Sequence, residues 1–159
     1  MTYRAYTWLS VIIFCFVVGL DRFSKMWALC ACEHEVVVNQ FVSYQCLLNR
    51  GISWGLFHSE NGSVFLIVSL FITAIISYFV YYTYQLWLQR KSLVGPALVL
   101  AGAVSNMADR FLYGGVIDFV IVHYDTWSWP VFNVADVAIC LGIGLIVITH
   151  TRSDWYNIA

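Results

Sequence analysis

A small, mainly α-helical membrane protein with four transmembrane helices and a β-rich first outer loop is the fold that this sequence predicts. Three observations carry that expectation. Of 159 residues, 61% are hydrophobic and only 11% are charged, against about 45–50% and about 25% in ordinary soluble domains. Mean hydropathy is +0.76 over the whole chain. The apolar residues also gather in four stretches, each close to the roughly 20 residues that a helix needs to cross about 30 Å of hydrocarbon. So little charge cannot clothe a soluble surface, and disordered chains are polar. A net charge of −1 offers no basic footprint for nucleic acid.

The first span covers about residues 6–29 and is apolar through Leu20, then interrupted by Asp21, Arg22 and Lys25. Arg4 before an apolar run imitates a secretory signal, and Leu29-Cys30-Ala31-Cys32 imitates a lipidation box. The three charges fall where such a signal must stay apolar, so the segment reads as a retained helix. The outer loop, about residues 30–62, holds Val36-Val37-Val38 and Phe41 to Leu47, β-branched and aromatic runs separated by Asn39-Gln40. They read as strands joined by a turn, and Gly51, Gly55 and Gly62 punctuate the rest of the loop. The second span, about 63–84, has no charge. The third, about 93–112, carries a small-residue stripe at Ala97, Ala101 and Ser105, which lets another helix approach closely. Gly114-Gly115 then breaks the helix. The fourth, about 132–149, has Asp136 in its first turn. The whole chain, 1–159, reads as one integral membrane domain.

Lys and Arg in short flanks set orientation. Arg4, Arg90, Lys91 and Arg152 mark both termini and the second loop as cytoplasmic; the opposite loops hold Glu33, Glu35, Glu60 and Asp125 against the single Arg50. Tyr3, Tyr6, Trp8, Tyr84, Trp87, Trp155 and Tyr156 near the helix ends fit interfacial belts.

Acids within spans are costly, so they are functional candidates by default. The predicted topology brings Asp21, Asp109, Asp118 and Asp136 toward the outer face, with Asn106 and Asn133 beside them. Structural readings compete for three of them. Asp21 and Lys25 lie at i,i+4 and can neutralise each other. Asp109 and Arg110 can compensate as neighbours, and Asp136 can serve the helix dipole. Asp118 stands in an apolar run with no cation within five residues, so a structural reading explains it least.

Other chemistries fall away by elimination. No His-Glu-x-x-His, Gly-x-Ser-x-Gly, phosphate loop or dinucleotide fingerprint occurs. Cys30, Cys32 and His34 alternate but lack an evident fourth metal ligand. Cys15 and Cys140 lie in spans and read as packing residues. Cys30, Cys32 and Cys46 fall on the oxidising side, where one pair could form a disulfide. A proton- or ion-coupled transporter would need acids at several depths, yet the inner half of every span lacks Asp, Glu, Lys and Arg. A purely structural subunit leaves Asp118 unexplained. Acids remain as the catalytic candidates.

Four blocks, in order, resemble the bacterial lipoprotein signal peptidase (signal peptidase II) family of membrane aspartic peptidases. They are Asp21-Arg22-Phe23-Ser24-Lys25; Asn49-Arg50-Gly51-Ile52-Ser53-Trp54-Gly55; Ala101 to Arg110 with Gly115-Val116-Ile117-Asp118-Phe119; and Trp129 to Asp136. The resemblance implies a catalytic pair at Asp118 and Asp136, with no cofactor and no metal. It implies that Asn106, Asp109, Arg110, Asn133 and Ala135 support the pair or line the substrate groove. Asp21 and Asn49, with Lys25 and Gly51 from the same blocks, are expected to hold the peptide or support the pair. The implied substrate is a prolipoprotein whose lipobox Cys carries diacylglycerol, cut just before that Cys. The implied place is the inner (cytoplasmic) membrane, with a small outer β cradle, lipid as surroundings and no obligate protein partner. Ser105 where Gly is usual, Arg22 where Gln is common and Trp54 where Phe is usual are small departures. In such a pair, the ionised carboxylate deprotonates water while the protonated one donates to the scissile carbonyl.

Overall fold

The computed structural model describes residues 3–51 and 61–156, with side chains as far as Thr149. Ile52, Ser53, Trp54 and Gly55 of the second sequence block, Glu60, and the side chains of Arg152, Trp155 and Tyr156 lie outside that description. The elements run α1 (Tyr3–Ala31), β1 (Val36–Asn39), β2 (Val42–Asn49), α2 (Gly62–Leu88), α3 (Val94–Tyr113), β3 (Val116–Tyr124), β4 (Trp127–Ser128) and α4 (Val134–Tyr156). Each predicted apolar stretch is therefore a helix. Two of them, α1 and α2, are long and apolar enough to cross a bilayer, and the apolar part of α4, Val134–Thr149, is shorter. Their outward surfaces are strongly apolar: Ile12 and Phe16 on α1 and Ile67 and Leu70 on α2 are each more than 60% exposed. Continuous apolar faces of this kind are a liability in water and fit a membrane protein.

The central helix is α3, packed against all three others. Its stripe Ala97, Ala101 and Ser105 is buried, and Ala101 meets Val17 of α1 and Ala138 of α4. Glycines bring α3 and α4 closer still. A Cβ on Gly102 would run into the Ala135 carbonyl oxygen, and one on Gly142 would lie 2.7 Å from the Gly95 carbonyl. Gly102→Ala is therefore expected to force α3 and α4 apart and cost about 1–3 kcal/mol. Gly19→Ala, where nothing lies within 4 Å of the added atom, is expected to be neutral or slightly stabilising, since Ala is the better helix former. Thermal unfolding of the two variants checks the contrast.

All four strands form one antiparallel sheet in the order β1-β2-β3-β4. The two strands expected in the loop between α1 and α2 are present as β1 and β2, but that loop does not hold the whole sheet: β3 and β4 come from the connection between α3 and α4. The run Val116 to Ile121 is buried at almost every position, so it shows none of the period-2 alternation that marks a half-exposed strand. Gly114, left-handed at φ 71°, ends α3. Gly115 then lets β3 lie against β2, since a Cβ there would come within 2.7 Å of the Leu48 side chain.

A second correction concerns Cys15 of α1 and Cys140 of α4, which the sequence reads as packing residues: both are exposed on the surface of their helices.

Candidate active site

The site is assembled where β3 hands over to α4. Phe132 pairs with Val120 of β3: its N–H donates to the Val120 carbonyl at 3.1 Å, and its carbonyl accepts from Val120 N–H at 2.9 Å. That bridge closes the chain between Asp118 and Asp136. The next residue, Asn133, caps α4. Its Oδ1 accepts from the Asp136 N–H at 2.9 Å, and Asp136 Oδ2 accepts from the Asn133 N–H at 3.2 Å. This reciprocal pair is a capping box, and it holds the Asp136 carboxylate at the positive end of the helix. The Asn133 amide Nδ2 reaches the other way and donates to Asp118 Oδ1 at 2.7 Å. One asparagine thus touches both carboxyl groups.

Two further amides face the pair, each oriented by its own oxygen. Asn49 Oδ1 accepts from the Gly51 N–H at 2.9 Å, which turns its Nδ2 onto Asp118 Oδ2 at 3.0 Å. Asn106 Oδ1 accepts from Lys25 Nζ at 2.6 Å and from Asn133 Nδ2 at 3.2 Å, which turns its Nδ2 onto Asp136 Oδ1 at 2.9 Å. Arg110 secures the Gly51 turn by donating to the carbonyls of Arg50 and Gly51. Its guanidinium also lies over the Phe65 ring, 5.7 Å from the centroid, within cation–π range.

Beneath the pair sits a charge cluster shared by α1 and α3. Lys25 is fully buried, and Nζ lies 2.7 Å from Asp21 Oδ2, 2.7 Å from Asp109 Oδ2 and 2.6 Å from Asn106 Oδ1. An ammonium has three protons, and here each has an acceptor. Asp21 also accepts from Ser105 Oγ at 2.6 Å and from the Ala135 N–H at 2.8 Å, so it caps α4 from a different helix. Asp109 binds Arg22 and takes the Ile117 N–H at 3.3 Å. Two cations therefore balance two acids. The i,i+4 pairing of Asp21 and Lys25 is present, but the suggested Asp109–Arg110 compensation is not. Asp109 turns to Lys25 and Arg22 of α1, while Arg110 turns to the loop carbonyls. Ala135 is wholly buried, and its main-chain carbonyl is the group that Gly102 approaches.

Every candidate residue read from the sequence therefore joins one connected network: Asp21, Lys25, Asn49, Gly51, Asn106, Asp109, Arg110, Asn133, Ala135, Asp118 and Asp136. Arg22 and Ser105, which the sequence marks only as departures from the family pattern, belong to it too. The signal for Arg22 was a cation at the end of an apolar span, which calls for an acid partner. Asp118 is 4% exposed. Burial, and after it the charge of Asp136, pushes its carboxyl up to about 7, against the opposing pull of the Asn49 and Asn133 amides and Lys25. Asp118 therefore holds its proton to well above the usual carboxylate range.

Apolar helices gathered around a buried carboxylate pair and its amide supports define a membrane enzyme. The profile of the family described as Signal peptidase (SPase) II matches residues 13–152. The lipoprotein signal peptidase of Clostridium novyi (strain NT) is 32% identical over 148 residues, covering 91% of this chain and 98% of that protein. That of Anaplasma phagocytophilum (strain HZ) is 35% identical over 148 residues, covering 91% and 92%. Two bacterial membrane enzymes solved by the in meso method share the fold. The 2.3 Å structure has a TM-score of 0.67 at 29% identity, covering 92% of this chain and 89% of that one. The 1.9 Å structure has a TM-score of 0.71 at 25% identity, covering 89% and 91%. This chain belongs to the signal peptidase II family, the peptidases of lipoprotein maturation.

Proposed function

We propose that the protein is an aspartic endopeptidase that removes signal peptides from diacylglyceryl-modified prolipoproteins, cutting just before the lipidated Cys. The observation that carries this reading is the contact of Asn133 with both carboxyl groups, one of which keeps its proton near neutrality. Asp136, as the ionised partner, takes a proton from water as the oxygen attacks the scissile carbonyl. Asp118 donates its proton to the carbonyl oxygen, giving a gem-diol. On collapse Asp118 recovers a proton from a diol hydroxyl, Asp136 gives its proton to the leaving nitrogen, and the C–N bond breaks. Both carboxyls return to their starting states. Asn106 and Asn49 hold the carboxyl oxygens still, which spares reorganisation during the step.

The four helices serve as four spans of the inner membrane, with both termini cytoplasmic. In support of this, all four strands join the same ends of the helices: the end of α1, the start of α2, the end of α3 and the start of α4. The opposite ends carry Arg4, Arg90 and Lys91, the positive-inside signature. The cleavage site is then at the outer interface, and the acyl chains of the substrate remain in lipid.

Lipid anchoring contributes about 0.8 kcal/mol per buried CH₂, far more in sum than a few peptide hydrogen bonds at about 1 kcal/mol each. At low substrate concentration the lipidated precursor is therefore expected to be cut at least about 100-fold faster than the unlipidated one, a ratio equivalent to about 2.7 kcal/mol. The measurement is cleavage of both precursors by the purified protein in lipid vesicles. Equal rates would remove the diacylglyceryl group from the reading.

A further inference from the structure

The β2 strand breaks register with β3 between Tyr44 and Leu47. Within that break, the Cys46 N–H donates not to β3 but to the carbonyl of Cys32, at 2.9 Å, just past the end of α1. Cys32 is 1% exposed and lies in one apolar cluster with Ala28 and Phe119, against which Cys46 and Val134 also pack. Bond lengths on either side of that single hydrogen bond keep the two Cα atoms within about 7 Å of each other, near the upper end of the range that a disulfide spans. All five cysteines are free thiols in this structure, and Cys30 differs in sitting exposed on the outer surface of α1.

We propose that Cys32 and Cys46 are the partners of an intrachain disulfide that fastens the end of α1 to β2. The two thiols give up two protons and two electrons to a disulfide oxidant, which is itself reduced to two thiols as the Cys32–Cys46 S–S bond forms. The bond would lie directly under the site. Leu47, next to Cys46, pairs with Asp118, and Phe119 of the same cluster follows Asp118 in β3. Burial pushes both thiols up, which slows attack by thiolate and makes exchange unfavourable once the fold has closed. Oxidation is therefore expected to be slow in the folded protein, and the finished bond resistant to reductant until the chain unfolds. A sheet on the outer side of the membrane meets such oxidants in the cell, but the chemical test does not depend on that placement.

The test uses the purified full-length protein, incubated with glutathione disulfide until the thiol count no longer changes, alkylated in denaturant and cleaved at Glu33 and Glu35. Those two glutamates separate Cys32 from Cys46. The expected product is a pair of peptides joined until reductant is added, with three of the five cysteines alkylated. The link should survive Cys30→Ser and vanish in Cys32→Ser and in Cys46→Ser. Alkylation of all five thiols in the unreduced protein, or a link that Cys30→Ser removes, would overturn the proposal. Because the thiol count is made on the unsubstituted chain, a variant that fails to fold does not rescue it.

Discussion

Replacing either Asp118 or Asp136 with Asn is expected to lower cleavage by at least about 10³-fold, the scale of losing a general acid or base. The double variant should be hardly slower than either single one, because groups that act as a unit are non-additive. Both variants should stay folded. Asn at 118 presents one oxygen to two donors, Asn49 and Asn133, and Asn at 136 weakens one capping contact. Losses of about 1–2 kcal/mol follow from each. The same pair predicts the pH dependence. Asp118 sits near 7 when folded and about 3.9 when unfolded, so its proton is lost, and the rate declines, as pH rises through 7. The sign for stability is the same: the contribution of this group is complete below about 4 and is lost progressively up to its folded value near 7. A rate that keeps rising between pH 7 and 9, or an active Asp118→Asn, would exclude Asp118 as the proton donor.

The largest stability effect is expected at Lys25. Lys25→Met removes three donated hydrogen bonds and leaves Asp21 and Asp109, both wholly buried, short of a cation. Breaking a buried ion pair from one side costs about 3–5 kcal/mol, and here two acids share the loss, with Arg22 left beside them. Asn106 loses the ammonium that turns its amide onto Asp136, so cleavage should fall together with stability. Thermal unfolding in detergent measures the first effect and precursor cleavage the second. Adding Asp21→Asn to Lys25→Met should restore part of the stability, since the pair is coupled. An unchanged unfolding temperature in Lys25→Met would contradict the buried cluster.

Much of this was legible in the sequence because a membrane imposes simple rules. Length and apolarity alone marked all four helices, and the four acids of the site stood out as charged groups in apolar stretches, whereas Asn49, Gly51 and Ala135 rested on the family resemblance. Partner choice was not legible. Adjacent charges such as Asp109 and Arg110 invite pairing along one helix, whereas the real partners of Asp109 come from α1, a long way back in sequence. The β3 strand was hidden for a related reason: it is covered on both faces, so its pattern is uniform rather than alternating. Gly102 lies outside the stripe of Ala and Ser, yet it makes the tightest approach to α4, because it has no side chain at all.

The capping box on α4 also bears on inhibition. On the proposed function, a compound that binds between the two carboxyls would rest on groups that also start a helix. To loosen its grip at Asp136 or Asn133 the chain would have to give up the hydrogen bonds that begin α4. At Asp21 it would give up the acceptor that steadies the Ala135 N–H from another helix. Substitution at these positions is therefore penalised in folding as well as in the proposed turnover.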